Sequence, residues 1–186
     1  MTPKDEGWTA LHLACKVNIL DKGSNEIFKY LISLGADPYI RNKHGASLMH
    51  KAAKDDNTSL VTYLRDKLNF SVSEKDFFEN TPLHYSCFEN TIFSSYWLIG
   101  FGQDVNAQNK DGDTPLHCLL RSKRKLKNTK IVRDLIFKGA DREIKNNMGQ
   151  RPIDLVEKNK CDESLKKELR MILGKQPLNL SCFQFK

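Results

Sequence analysis

Four histidines are spaced almost evenly along the chain, and that spacing limits the fold more than any other feature. The string DGDTPLHCLL at 111–120 sets a threonine, a proline and a histidine between a turn and an apolar run, and related strings recur as GWTALHLAC (7–15), GASLMHKAA (45–53) and ENTPLHYSC (79–87). His12, His50, His84 and His117 stand 38, 34 and 33 residues apart, and 37 residues further on Asp154 takes the same place in GQRPIDL. A unit of this length that recurs cannot bury its apolar face alone. It must stack on copies of itself, so the repeated histidine reads as scaffold rather than as catalyst.

The fourth unit shows how each copy folds. The Thr114 hydroxyl can cap a helix start, and Pro115 suits the first helical position, where its missing N–H had no intrahelical acceptor. Leu116, Leu119 and Leu120 then face inward at helical spacing. Ile131, Val132, Leu135 and Ile136 form the stripe of a second helix, and Gly139, tolerant of left-handed geometry, ends it.

The strings LISLGADPYIRNKHG, LIGFGQDVNAQNKDG and LIFKGADREIKNNMG supply the matching helix ending and hairpin. With the histidine motif and a period near 33 residues, the chain resembles the ankyrin-repeat proteins from about Lys4 to Gly174. The resemblance implies an all-α ankyrin-repeat solenoid of about five β-turn and helix-pair units, at 4–41, 42–75, 76–108, 109–145 and 146–174. It implies a curved stack with a concave binding face of hairpin tips and first helices. The repeat domain then spans 1–176, and 177–186 is a tail or a linker to a downstream region. The resemblance also implies that each histidine bridges the threonine hydroxyl and the adjacent turn. LRDKLNFSVSEKDFFEN departs from the pattern, with no glycine at either expected place, so an irregular second hairpin is expected. In CDESLKKELRMILG, Leu165, Leu169 and Ile172 lie on one stripe and Lys166, Lys167, Glu168 and Arg170 on a polar face, the pattern of a C-terminal cap.

Composition bounds the remaining classes. No stretch of the 186 residues approaches the roughly 18 uninterrupted apolar residues of a membrane span, and MTPKDEGW lacks the apolar core of a secretory signal. Five irregularly spaced cysteines in a chain of this size point to a reducing, cytoplasmic setting. His12 with Cys15 and His84 with Cys87 stand three residues apart, a spacing that could seat zinc. The equivalent place in the second unit is Ala53, however, so the thiols read as small buried hydrophobes. No cofactor, metal or catalytic residue is expected, and the chain by itself reads as a non-enzyme.

By analogy with the family, partner-contacting positions are Trp8, Lys16, Lys43, His44, Lys54, Phe77, Phe78, Phe88, Lys110 and Arg121. Their centre is aromatic and their C-terminal flank basic, which suits a protein or peptide with apolar and acidic features. Phe77 and Phe78 replace polar residues at a fingertip: they form an exposed hot spot, or the second hairpin folds back and buries both. RSKRKLKNTKIVR (121–133) carries seven basic residues and no acidic one, Lys123, Arg124, Lys125 and Lys127 among them, and enlarges the connection within the fourth unit. Residues 1–109 hold 11 basic and 13 acidic side chains and residues 110–186 hold 19 and 10, so the halves carry about −2 and +9. The loop is a solvated surface or meets an acidic protein or an anionic membrane; nucleic acid is disfavoured, because aromatics are not interleaved with the charges. VNILDKGSNE enlarges the first unit in the same way without the charge. Asn106, with Asp104 and Leu98 before it, resembles the setting of β-hydroxylated ankyrin asparagines.

The function expected is a monomeric, non-catalytic protein-interaction module. An alternative comes from LIFKGADREIKNNMGQRPIDLVEKN followed by LRMILGKQPLNLSCFQFK, which resembles the junction after the repeats in some protist Asp-His-His-Cys-type protein S-acyltransferases (palmitoyltransferases). On that reading the chain is the cytosolic recruiting domain of a larger membrane-bound enzyme.

Overall fold

A computed structural model describes residues 7–16, 25–122 and 124–174. The enlargement at 17–24, Lys123 and the tail from 175 lie outside the described residues. Helices α1 (Ala10–Leu13), α2 (Glu26–Ser33), α3 (Leu48–Lys54), α4 (Thr58–Leu68), α5 (Pro82–Glu89), α6 (Ile92–Gly100), α7 (Pro115–Arg121) and α8 (Lys130–Phe137) are followed by a 3₁₀ helix (Pro152–Lys158) and α9 (Glu163–Leu173). Among the described residues there is no strand. Odd-numbered helices up to α7, then the 3₁₀ helix, pack in one row, and α4, α6 and α8 pack in a second. The core between the rows includes Leu48, Met49, Leu60, Leu64, Leu83, Leu98, Leu116, Leu119 and Leu135, all at or near zero exposure. Cys15 and Cys87 are as completely buried as Ala53, the small apolar place that the alignment assigned to them.

The histidine forms the joint between neighbouring units. Thr114 caps α7, Pro115 opens it, and His117 Nδ1 accepts from the Thr114 N–H at 3.2 Å and lies 2.8 Å from its hydroxyl. Its other nitrogen, Nε2, sits 2.9 Å from the Gln150 carbonyl of the following turn. His84 repeats this with Thr81 and the Asp113 carbonyl at 3.0 Å, and His50 with Ser47 and the Asn80 carbonyl at 2.9 Å. Because a carbonyl only accepts and an amide N–H only donates, one neutral tautomer, protonated at Nε2, satisfies both ends. In the fifth unit Asp154 accepts from the Arg151 N–H at 2.8 Å and so keeps the cap. The helix it opens is 3₁₀ rather than α.

The second hairpin is regular, contrary to the expectation from its missing glycines. Asn69 and Glu79 take left-handed φ angles of 55° and 62° at the two vacant glycine places. The turn then closes as its neighbours do: the Asp76 N–H donates to the Asn80 carbonyl at 3.0 Å, as Asn42 does to Ala46, Asn109 to Asp113 and Asn146 to Gln150. Asp76 Oδ1 accepts from the Phe78 and Asn80 N–H groups at 2.9 and 2.8 Å, an anchor made elsewhere by asparagine. Successive tips are also tied together, Phe77 N–H to the His44 carbonyl, Lys110 N–H to Phe78 and Asn147 N–H to Asp111, at 2.9 to 3.0 Å. At the C-terminal end Leu165, Leu169 and Ile172 are buried and Lys167 and Arg170 exposed.

Two predictions follow from these joints. Burial drives the pKa of His12, His50 and His84 from 6.5 down to about 4. The unfolded chain therefore binds protons between pH 6.5 and 4 that the folded chain refuses, and stability, fully present above pH 6.5, is lost as pH falls toward 4. Each imidazole contributes on the order of 2–3 kcal/mol across that window. Urea midpoints measured from pH 7.5 to 4.5 should fall steeply, and His84→Gln should flatten the fall. Separately, Glu79→Gly removes a side chain from a left-handed position and should raise stability by about 0.5–1 kcal/mol, read as a higher melting temperature.

Candidate functional site

A groove of about 410 Å³ opens at the middle of the stack, where the second, third and fourth fingertips meet the first-helix row. Its wall on the tip side is His44, Asp76, Phe78, Asn80, Asn109, Lys110 and Asp111; helices contribute Lys54 from α3, Tyr85, Phe88 and Glu89 from α5, and Arg121 from α7. Six of the ten partner-contacting positions expected from the repeat pattern therefore border one cavity: His44, Lys54, Phe78, Phe88, Lys110 and Arg121.

Phe77 and Phe78 diverge in role although both stay in solvent, at 62% and 51% exposure, so the folded-back alternative does not hold. Phe78 lines the groove, with its ring 5.8 Å from that of His44. Phe77 lies against the neighbouring turn, so closely that a Cβ added at Gly45 would stand 2.5 Å from its ring. Gly45, at φ +77°, is thus required for backbone and for space.

The charges of the groove are partly committed to the fold. Arg121 pairs with buried Asp113 at 2.7 Å and reaches Gln150 Oε1 at 3.2 Å. Asp113 is further held by the Asn146 amide at 2.7 Å. Asp76 is buried and accepts from the Tyr85 hydroxyl at 2.8 Å, so its carboxylate faces donors rather than the open groove. Exposed Lys110 stands at the tip, and Lys54, 5.9 Å from the Trp8 ring, stands at the end of α3. The groove thus joins exposed rings to lysines at its edge.

The other expected positions lie outside it. Trp8 is half-buried rather than exposed, with the Lys51 ammonium 5.5 Å from its ring and the His12 ring 5.0 Å away. Lys16 and Lys43 are exposed on the first unit and the second tip. In the enlarged loop Leu126 is buried and anchors the segment, Arg124 pairs with Glu89 at 2.8 Å, Lys125 lies 4.0 Å from Asp162, and Lys127 is exposed. Asn106 bridges to the next unit, donating to the Gly139 carbonyl at 2.9 Å and accepting from the Asp141 N–H at 2.8 Å.

Tyr85 and Asp76 are the groove residues that motif reading passed over. The available signal was an aromatic directly after the repeat histidine, where the neighbouring units carry Leu13, Lys51 and Cys118. Burial holds three cysteines protonated: it pushes the Cys15 and Cys87 thiols up to about 12 and raises Cys118 well above its ordinary value. Among the described residues no three His, Cys, Asp or Glu side chains converge as metal ligands, and no helix is long and apolar enough to cross a membrane.

Comparison with known proteins agrees with this architecture. A model of ankyrin repeats in three copies matches residues 19–99, and one of many copies matches residues 97–136. The Inhibitor of Apoptosis OPG037 of monkeypox virus is 34% identical over 102 residues, 53% of this chain and 23% of that protein. Human SH3 and multiple ankyrin repeat domains protein 2 is 28% identical over 152 residues, 81% of this chain and 8% of that protein. Palmitoyltransferase AKR1 of Debaryomyces hansenii is 24% identical over 158 residues, 81% of this chain and 19% of that protein. The chain spans less than a quarter of the length of each of these relatives. On the repeat period, the stacked helix pairs and the matched repeat models, the chain belongs to the ankyrin-repeat proteins, whose repeats serve protein–protein interaction.

Proposed function

We propose that this protein binds a partner protein through its central groove, taking an extended peptide or loop in which an apolar side chain stands next to acidic ones. The observation that carries this reading is the pairing, along one cavity, of the exposed rings of Phe78 and Phe88 with Lys54 and Lys110. Exposed aromatics beside a groove supply the apolar anchor, since burying such a ring in a partner removes a large area from water without unfolding anything. The lysines steer and orient an acidic segment, and Arg121, fixed by Asp113, shapes the wall rather than supplying a mobile charge. Phe77, Lys43, Lys16 and Trp8 lie beyond the cavity and would extend the contact along the tips. The chain carries no chemistry of its own in this role and acts as a monomer.

A second reading keeps the same groove and makes it the recruiting surface of a larger palmitoyltransferase, supported by the likeness to AKR1 over 81% of this chain. Hydrophobic spans encoded beyond Lys186 would support it.

The test is selection of peptides from a random display library on the wild-type protein, followed by binding of the enriched peptides to variants. Enriched peptides should combine Leu or Phe with Asp or Glu. Phe78→Ala with Phe88→Ala should weaken them by more than about 2 kcal/mol while the melting temperature stays within a few degrees. Lys54→Gln with Lys110→Gln should weaken them less and reduce the salt dependence. Peptides that bind the aromatic double variant as tightly as wild type would place the interaction elsewhere on the stack.

A further inference from the structure

The second-helix row carries a feature that the groove does not use. Phe93, Tyr96, Trp97 and Gly100 share one face of α6, and the three rings are 67%, 63% and 44% exposed, while Ser94, Ser95, Leu98 and Ile99 turn inward. No charged residue stands between Glu89 and Asp104. At the N-terminal end of this helix, Asn90 and Ile92 face Arg124, Lys125, Lys127 and Asn128 across a pocket of about 180 Å³. Glu89 is bonded to Arg124 at 2.8 Å, and Asp56 accepts from the Ser94 N–H at 2.7 Å. Lys125, 4.0 Å from the exposed Asp162, and the exposed Lys127 remain turned to solvent. On the adjoining α8, Lys130, Phe137 and Lys138 are exposed as well.

We propose that the outward face of α6, together with the cationic pocket at its N-terminal end, docks the protein onto a membrane surface containing anionic phospholipid. Tryptophan and tyrosine settle at the headgroup level of a bilayer, where the ring leaves water and its polar atom does not. An uncharged band enters that layer without the penalty of desolvating an ion, and lysines and arginines beside it meet the negative headgroups. A second copy fits the face poorly. Parallel pairing of two α6 helices would set pocket against pocket, like charge against like, and antiparallel pairing would set it against Arg65, which lies over the Phe101 ring and is already paired with Asp66 at 2.7 Å, so no unpaired opposite charge meets the pocket there.

The experiment uses Trp97 as the reporter, with Trp8→Phe removing the other tryptophan. Vesicles of phosphatidylcholine alone and of phosphatidylcholine with phosphatidylserine are titrated into the protein, with cosedimentation in parallel. The expected result is a blue shift of Trp97 emission and cosedimentation with the anionic vesicles alone. Arg124→Gln with Lys125→Gln and Lys127→Gln should lower the partition by about tenfold or more. Phe93→Ser with Tyr96→Ser should lower it comparably, and both variants should keep the wild-type melting temperature. Trp97 emission unmoved by anionic vesicles, or binding unchanged in either variant, overturns the proposal. A concentration-dependent dimer abolished by Phe93→Ser would assign the face to a second copy and overturn it equally.

Discussion

In the second, third and fourth units a neutral imidazole that bonds at both nitrogens holds the first helix in register with the next turn. Nδ1 closes the cap of its own helix and Nε2 reaches a carbonyl in the next turn, so a single side chain ties local structure to the interface between units. Either bond alone is worth about 1 kcal/mol, but each lies where water has been excluded and an unpaired polar group would be costly. The same burial that strengthens the joint keeps the imidazole from taking a proton. The rest of the architecture, including the spacing of the fingertips over the first helices, is set by that repeated link.

Regular tips create an irregular surface. Because each turn is anchored by an asparagine or aspartate and tied to its neighbour through backbone bonds, the tip side chains are left for recognition. The third tip places two phenylalanines there. Its neighbour's glycine leaves room for the Phe77 ring against the turn, and the Phe78 ring lines the cavity. Aromatic content is therefore concentrated at the centre of the array, where a partner spanning several units would bury it most completely. Polar groups beneath, Asp76 with Tyr85 and Asp113 with Arg121, are bonded to each other and give the groove a rigid floor.

The two faces of the stack differ in what they can recognise. The groove is concave, with lysines at its edge and rings within, and it suits one segment of chain. The outer face of α6 is a patch of rings on one helix beside a basic loop, and it suits an extended surface. The rings of the two features sit on separate helix rows, and the Glu89–Arg124 pair joins the edge of the groove to the basic loop.

Much of the fold was legible in the residues. A threonine or serine three residues before the repeat histidine marked the start and cap of the first helix in the first four units, because capping is a local exchange of hydrogen bonds among residues three apart. The apolar stripes located the core, and the period implied the stack. The regular second hairpin was not legible: Asn69 and Glu79 adopt left-handed backbone that neighbouring turns impose, and tertiary bonds outweigh a local preference of about 1 kcal/mol. The separation of Phe77 from Phe78 was equally hidden, since it depends on Gly45, 32 residues earlier, being directly beneath one ring. The aromatic centre and basic C-terminal flank of the candidate contacts were legible in the residues, but which of those charges are committed to the fold was not. Only packing determined that Arg121 is held by Asp113, that Arg124 is held by Glu89, and that Tyr85 and Asp76 belong to the groove. Repetition in the chain determines which bonds every unit makes; which side chains remain available after those bonds form depends on residues far apart in sequence meeting in space.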